Sequence, residues 1–169
     1  MRRPGLALGI AVVAISLACT AATTSASASI NDLRYLIGKW TCATKLPAMG
    51  KAPAHTEHTP IAFAWGPAGT TIVTTQLSPT QSGYGFIGWD SRKNVWWSTN
   101  VDNLGDYAGE SGPNTPGTTV LTGWSYGLTA PVQSRDSITK LSATSFHDLY
   151  QYRKGAVWLV GADTTCTKR

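Results

Sequence analysis

Short segments rich in Val, Ile, Thr, Trp and Tyr follow one another along most of this chain, and Gly, Pro, Asn or Asp lies in nearly every gap between them. Since no helical segment is long enough to connect parallel strands, this pattern predicts antiparallel hairpins in series and an all-β fold, either a sandwich or a barrel. The nine predicted strands are Lys39–Thr44, Thr59–Trp65, Thr70–Leu77, Tyr84–Trp89, Val95–Val101, Thr118–Tyr126, Val132–Leu141, Ser145–Arg153 and Val157–Thr167.

Two cysteines favour the barrel. Cys42 lies on the first predicted strand and Cys166 on the last, and the chain has one further cysteine, Cys19. A disulfide requires two Cα atoms within about 7 Å, and an up-and-down barrel closes by pairing its first strand with its last. We therefore expect a Cys42–Cys166 disulfide across the seam of an antiparallel barrel of about eight to ten strands, the alternative being two free buried cysteines. A short helical turn is expected before the first strand, at residues 31–36.

The first 28 residues are predicted to be a signal peptide. Arg2 and Arg3 precede residues 6–18, an apolar run of the length typical of a signal-peptide core and too short to span a bilayer. Residues 26–28, Ala-Ser-Ala, provide the small residues that signal peptidase requires. The protein is therefore expected to be secreted or periplasmic.

The mature chain is expected to begin at Ser29 and to form one domain, residues 29–169, because a chain of this length normally builds a single core. Cys19 leaves a second possibility open, since a cysteine at the end of a signal core can be the lipidated first residue of a lipoprotein. Such a site prefers Leu three residues earlier, where this chain has Ser16. No membrane partner is expected unless Cys19 is lipidated.

The basic residues do not indicate a nucleic-acid partner. The chain has a formal charge of +5, and two of these charges lie in the predicted leader. The remaining Lys and Arg residues are scattered singly or in pairs, without a basic stripe.

Gly38-Lys39-Trp40 resembles the Gly-x-Trp signature of lipocalins and their calycin relatives. Together with the surrounding LIGKWTC, with residues 88–107 (GWDSRKNVWWSTNVDNLGDY) and with a last strand ending near Cys166, it makes most of the mature chain similar to a domain-of-unknown-function family of small secreted bacterial proteins. The resemblance implies a lipocalin-like barrel whose base is plugged by Trp40. It implies no established activity.

Two motifs that suggest cofactors are interpreted otherwise. Gly83–Gly88 matches GxGxxG by letter, but the residues that follow predict a hairpin that turns at residues 90–94, whereas a dinucleotide site requires a helix there. His55 and Glu57 alternate onto one face of a strand and His58 onto the other, so no tight metal site is expected. We expect no metal or other cofactor.

The sequence contains no nucleophile motif, and Gly109-Glu110-Ser111-Gly112 falls short of the GxSxG elbow. His147 and Asp148 are neighbours on a strand and are expected to point to opposite faces. The carboxylates are dispersed along the chain, although pairs of them could assemble across strands, as glycoside hydrolysis would require. An enzyme therefore stays an alternative.

Seven tryptophans fall on predicted strands. They could fill a solid core, line an internal pocket for a small molecule, or lie flat on an outer face and stack on sugars. Alternation indicates that Trp65 and Trp97 point inward and that Trp96 points outward. We expect a non-enzymatic barrel that binds a small, largely apolar molecule, with a carbohydrate-binding module as the alternative. The residues expected to line the pocket are Phe63, Trp65, Trp97, Trp124 and Tyr150.

Overall fold

The computed structural model describes residues 29–78, 81–115, 117–127 and 130–169, so the predicted signal peptide and Cys19 lie outside the described residues. In these ranges no helix combines the length and the apolar character needed to cross a membrane. A 3-10 turn, η1 (Ile30–Leu36), precedes the first strand, and a shorter one, η2 (Pro67–Gly69), follows the second. The strands are β1 (Gly38–Leu46), β2 (His55–Trp65), β3 (Thr71–Leu77), β4 (Ser82–Asp90), β5 (Val95–Asp102), β6 (Tyr107–Pro113), β7 (Thr118–Tyr126), β8 (Val132–Lys140), β9 (Ser145–Lys154) and β10 (Val157–Lys168).

Each strand pairs antiparallel with its neighbours in sequence, and β1 also pairs with β10. The ten strands therefore form a closed up-and-down barrel, which confirms the predicted fold class. At the seam the register places Cys42 opposite Cys166, and the two residues form a disulfide with their Cα atoms 4.0 Å apart. Disulfides persist in oxidising compartments, so this bond is typical of a protein located outside the cytosol.

The structure contains one strand more than the sequence pattern predicts. β6 has the sequence YAGESGP, whose Gly, Ser and Pro residues are typical of turns. Its side chains nevertheless alternate strictly, with Ala108, Glu110 and Gly112 buried and the residues between them exposed. Pairing with β5 and β7 on both edges therefore overrides a weak local preference.

The N-terminal turn closes one end of the barrel, which we call the base. The hydroxyl of Ser29 accepts a hydrogen bond from the Asn31 amide at 3.3 Å, and the Asp32 carboxylate accepts one from the Ser29 amide at 3.0 Å. This reciprocal pair is a capping box, so η1 begins slightly earlier than predicted. The cap orients the turn so that Leu33 and Leu36 are buried against the ends of the strands.

Trp40 fixes this closure. It is fully buried, and its indole Nε1 donates a hydrogen bond to the Leu36 carbonyl oxygen at 2.6 Å. Its ring packs edge-on against Phe146, with ring centroids 4.9 Å apart, and Phe146 packs in the same manner against Phe63. Trp40 therefore lies at the base, the position that the lipocalin-like resemblance implies for it.

Removing the seam disulfide should destabilise the protein strongly. The cysteines are 124 positions apart in the chain, and cross-linking a loop of that length is worth up to about 5 kcal/mol in the chain-entropy account. We expect the double variant Cys42→Ala, Cys166→Ala to unfold at a clearly lower urea concentration than the oxidised protein. Reductant should lower the midpoint of the native protein and leave that of the double variant unchanged. Equal midpoints for the oxidised protein and the double variant would contradict a stabilising role of the bond.

Candidate ligand-binding cavity

The barrel encloses a cavity of about 370 Å³. It extends from the side chains above the base to the opposite end of the barrel, where Leu46, Glu57 and Asp102 lie at the ends of their strands. This volume is within the range of small-molecule sites. Its floor is formed by the apolar side chains of Leu36, Phe63, Ile87, Leu121, Ile138 and Phe146.

The walls change from apolar to polar with distance from the base. On β8 the inward side chains are Ile138 near the base and then Asp136, and on β9 they are Phe146 and then Asp148. Alternate residues of a strand point to the same side, so each strand contributes one side chain to the floor and the next to the wall. The cavity is therefore amphipathic along its length.

Two of its carboxyl groups are neighbours across a strand pair. Asp148 lies directly opposite Ile138, which is two residues from Asp136 on β8. Residues related in this diagonal way on one face of a sheet are within reach of each other. Asp136 and Asp148 therefore occupy one patch of the cavity wall.

A third carboxyl group, that of Glu110, reaches the same patch from β6. In the cross-strand row it lies opposite Gly123 of β7, which in turn lies opposite Ser134 of β8. Gly123 has no side chain to block the way, and a Cβ there would fall 2.0 Å from the Gly109 carbonyl oxygen. The fully buried Ser134 hydroxyl donates a hydrogen bond to Glu110 Oε1 across this gap.

Burial and mutual repulsion keep protons on this cluster. The pKa of Asp136 is raised well above its usual value, first by desolvation and then by the charges of Asp148 and Glu110 and a hydrogen bond with Glu110. A bond between two carboxyl groups needs a proton, so Asp136 donates it to Glu110. Burial, followed by the charge of Glu110, raises the pKa of Asp148 to about 7, against a small lowering by His147.

Asp148 is the member of the cluster without a compensating group. Its Oδ1 atom is inaccessible to solvent and has no hydrogen-bond partner among the described residues. No Lys, Arg or His is among the described residues that line the cavity. A buried carboxylate without a cation or a donor is costly, so this wall is an electrostatically unsatisfied part of the structure.

The five residues predicted to line the pocket have different locations. Phe63 lines the cavity floor. Tyr150 is on the inward face of β9, where its ring packs against Gly161 and burial raises its pKa, but it does not line the cavity. Trp65 lies on the same face of β2 as Phe63, as predicted. It is nevertheless at the end of the strand, beside the base, and is 36% exposed.

The predicted orientations on β5 and β7 are wrong. Trp96 is fully buried and packs on Trp89, whereas the Trp97 ring covers the outward side of Gly88, within 2.3 Å of where a Cβ would lie. Trp124 is 48% exposed, and the buried residues of its strand are those of the other alternation. Tryptophans occur on both sides of β5, so alternation alone could not identify the inner face.

The carboxyl cluster is not predicted by the sequence pattern of its strands. On β8 the inward residues Ser134 and Asp136 alternate with Arg135 and Ser137, so both faces are polar and neither resembles a core face. On β6 the inward Glu110 lies in a segment that resembles a turn. The usable signal was the one noted above, that carboxylates on different strands can meet in a closed barrel.

The other motifs lie where their strand interpretation predicts. Gly83–Gly88 lies within β4, and residues 91–94 form the turn to β5. His147 Nε2 lies 2.8 Å from Asp163 Oδ1 on the outer surface, whereas Asp148 faces the cavity. Among the described residues, no group of three or more His, Cys, Asp or Glu side chains has an arrangement that could hold a metal ion.

Replacing Asp148 with Asn should stabilise the protein at high pH alone. Because folding raises the pKa of this carboxyl from 3.8 to about 7, the native state holds the proton more tightly. The buried Asp148 charge does not destabilise the folded protein below about pH 3.8. Its destabilising effect grows between the two pKa values and reaches its full size above about pH 7. Urea denaturation should show Asp148→Asn to be more stable than the native protein by up to about 4 kcal/mol at pH 8, and equally stable at pH 4.

Asp163→Asn is the matched control, because Asp163 lies on the outer surface beside His147. It should give no gain in stability between pH 4 and pH 8. A pH-independent effect of Asp148→Asn would show that this carboxyl is not buried as a charge.

No protein-family model matches this sequence, and no curated protein matches it.

Proposed function

We propose that this protein is an exported, non-enzymatic barrel, similar in architecture to lipocalins, that binds a small, largely apolar molecule in its interior. The observation that carries the proposal is the cavity of about 370 Å³ with an apolar floor. Side chains can fill a barrel of about eight strands, and the diameter grows with strand number; in this ten-stranded barrel they leave space for a molecule.

The floor favours an apolar group on the ligand. Phe63 and Phe146 meet edge-to-face at 5.9 Å between ring centroids, and they present rigid aromatic surface to the cavity. Each methylene group that a ligand buries there contributes about 0.8 kcal/mol. A chain-like or flat molecule gains most, because it can extend from the floor towards the opposite end.

Export is supported by two independent features. The disulfide Cys42–Cys166 is typical of an oxidising compartment, and residues 1–28 have the composition of a signal peptide. A secreted or periplasmic location follows from this combination as part of the proposal.

One observation favours the carbohydrate-binding alternative. On the outer surface, Tyr84 lies opposite Val101, Val101 opposite Tyr107, and Tyr107 opposite Tyr126, which gives a row across four strands. Tyr84, Val101 and Tyr107 are more than half exposed, and the rings of Tyr107 and Tyr126 stack with centroids 4.7 Å apart. Exposed aromatic rings on a flat sheet are suited to stacking on sugars.

Filling part of the cavity should weaken binding of an apolar molecule. Thr74 lines the cavity, and Thr75, the next residue of β3, lies opposite the outward Tyr84. We expect Thr74→Trp to weaken binding of 1-octanol by about tenfold or more, since displacing two methylene groups costs about 1.6 kcal/mol. Thr75→Trp should bind like the native protein in calorimetric titrations.

The same titrations test the alternative. No binding of 1-octanol to the native protein, or equal effects of the two tryptophan variants, would refute the interior site. Binding of oligosaccharides that is lost in Tyr107→Ala and unaffected by Thr74→Trp would assign the function to the outer surface instead.

A further inference from the structure

We propose that the cavity selects ligands that carry a positively charged amine beside their apolar part, and that the amine binds at the carboxyl patch of Glu110, Asp136 and Asp148. This inference rests on the proposed function, since it identifies the ligand class of the same cavity. It begins with an imbalance: Asp136 and Asp148 line the cavity beside Glu110; Glu57 and Asp102 line it towards the end opposite the base, and the described cavity lining contributes no basic side chain.

The arrangement of the carboxyl patch suits the binding of one positive charge. Asp136 shares its proton with Glu110, and the Ser134 hydroxyl donates to the same glutamate. These bonds fix the positions of two of the carboxyl groups. Asp148 completes the patch, and of its three carboxyl groups only that of Asp148 has a buried oxygen atom without a hydrogen-bond partner among the described residues.

An ammonium group satisfies what this carboxyl group lacks. It provides N–H donors to the Asp148 carboxylate where that side chain lines the cavity, and it neutralises repulsion between the carboxyl groups. A neutral hydroxyl provides one donor and no charge, and a carboxylate adds a further negative charge. The order of affinity for ligands with the same chain is therefore amine, then alcohol, then carboxylate.

The position of the patch sets the shape of the ligand. Asp136 and Asp148 each lie one inward position beyond a floor residue, Ile138 and Phe146 respectively. A ligand whose apolar part covers these floor residues places its polar end at the patch. The ligand class is accordingly a small primary amine with an apolar chain or ring.

Ligand affinity should depend on pH through Asp148. The titratable groups near it are Asp136 on the paired strand β8, Glu110 of β6, Tyr35 of η1 and His147 on the same strand. Burial and then the charge of Asp148 raise the pKa of Tyr35 to about 12, so this tyrosine stays neutral throughout the relevant range. Loss of the proton from Asp148 then strengthens binding of an amine as pH rises from 6 to 8, with no comparable change for an alcohol.

The test is a calorimetric titration of the full mature chain at pH 8 with octylamine, 1-octanol and octanoate. We expect octylamine to bind about ten- to hundredfold more tightly than 1-octanol, the range that a hydrogen bond to a charged group provides. Octanoate should bind most weakly. In Asp148→Asn the preference for octylamine should fall to near unity while 1-octanol affinity is retained, and Asp163→Asn, altered on the outer surface, should keep the preference.

The outcomes separate this inference from the proposed function. Equal affinities of the native protein for octylamine and 1-octanol would overturn the inference and leave the apolar site in place. If none of the three molecules binds, both are refuted. A preference for octylamine that survives in Asp148→Asn, and that does not change between pH 6 and pH 8 in the native protein, would also overturn the role of the carboxyl patch.

Discussion

The pairing of the first strand with the last determines the environment of every inward side chain. Once β1 joins β10, the sheet has no edge and its inner surface is separated from bulk water. The Cys42–Cys166 bond lies on this seam, and the Trp40–Leu36 hydrogen bond closes the base below it. Closure therefore creates the low-dielectric interior in which electrostatic interactions become strong.

Inside this closed surface, apolar and acidic side chains are segregated. The floor buries aromatic and aliphatic groups close to the base, whereas Asp136 and Asp148 lie on one wall, where Asp136 is hydrogen-bonded to Glu110. In an open sheet these carboxyl groups would be hydrated and independent. In the barrel Asp136 and Glu110 share a proton, and burial followed by neighbouring negative charge raises the pKa of Asp136 and of Asp148, which is an arrangement found more often at functional sites than in ordinary cores.

Much of the fold follows from the sequence because strands and turns carry local signals. β7 has the bounds that its composition predicts, and the cysteine positions identify the seam. β6 gave no such signal, because YAGESGP becomes a strand through pairing on both of its edges.

The candidate site was much less predictable. The inward face of Phe63 can be predicted because large apolar residues alternate with alanines along its strand. On β5 it cannot, because Trp96 and Trp97 are adjacent and both large. In the structure Trp97 is the outward residue of this pair. Its ring packs on the outer side of Gly88, which has no side chain in the way. The carboxyl patch depends on Gly123 leaving a gap between two strands, and a contact of that kind is visible only when the register is known.

Folding places Asp148 in the barrel interior as an acid without a compensating cation. A pH titration of the side-chain carboxyl carbons by ¹³C NMR tests this placement. We expect one carboxyl that titrates near pH 7 and is missing from the spectrum of Asp148→Asn. Titration of the Asp148 carboxyl near 4, the ordinary value of an exposed Asp, would contradict it.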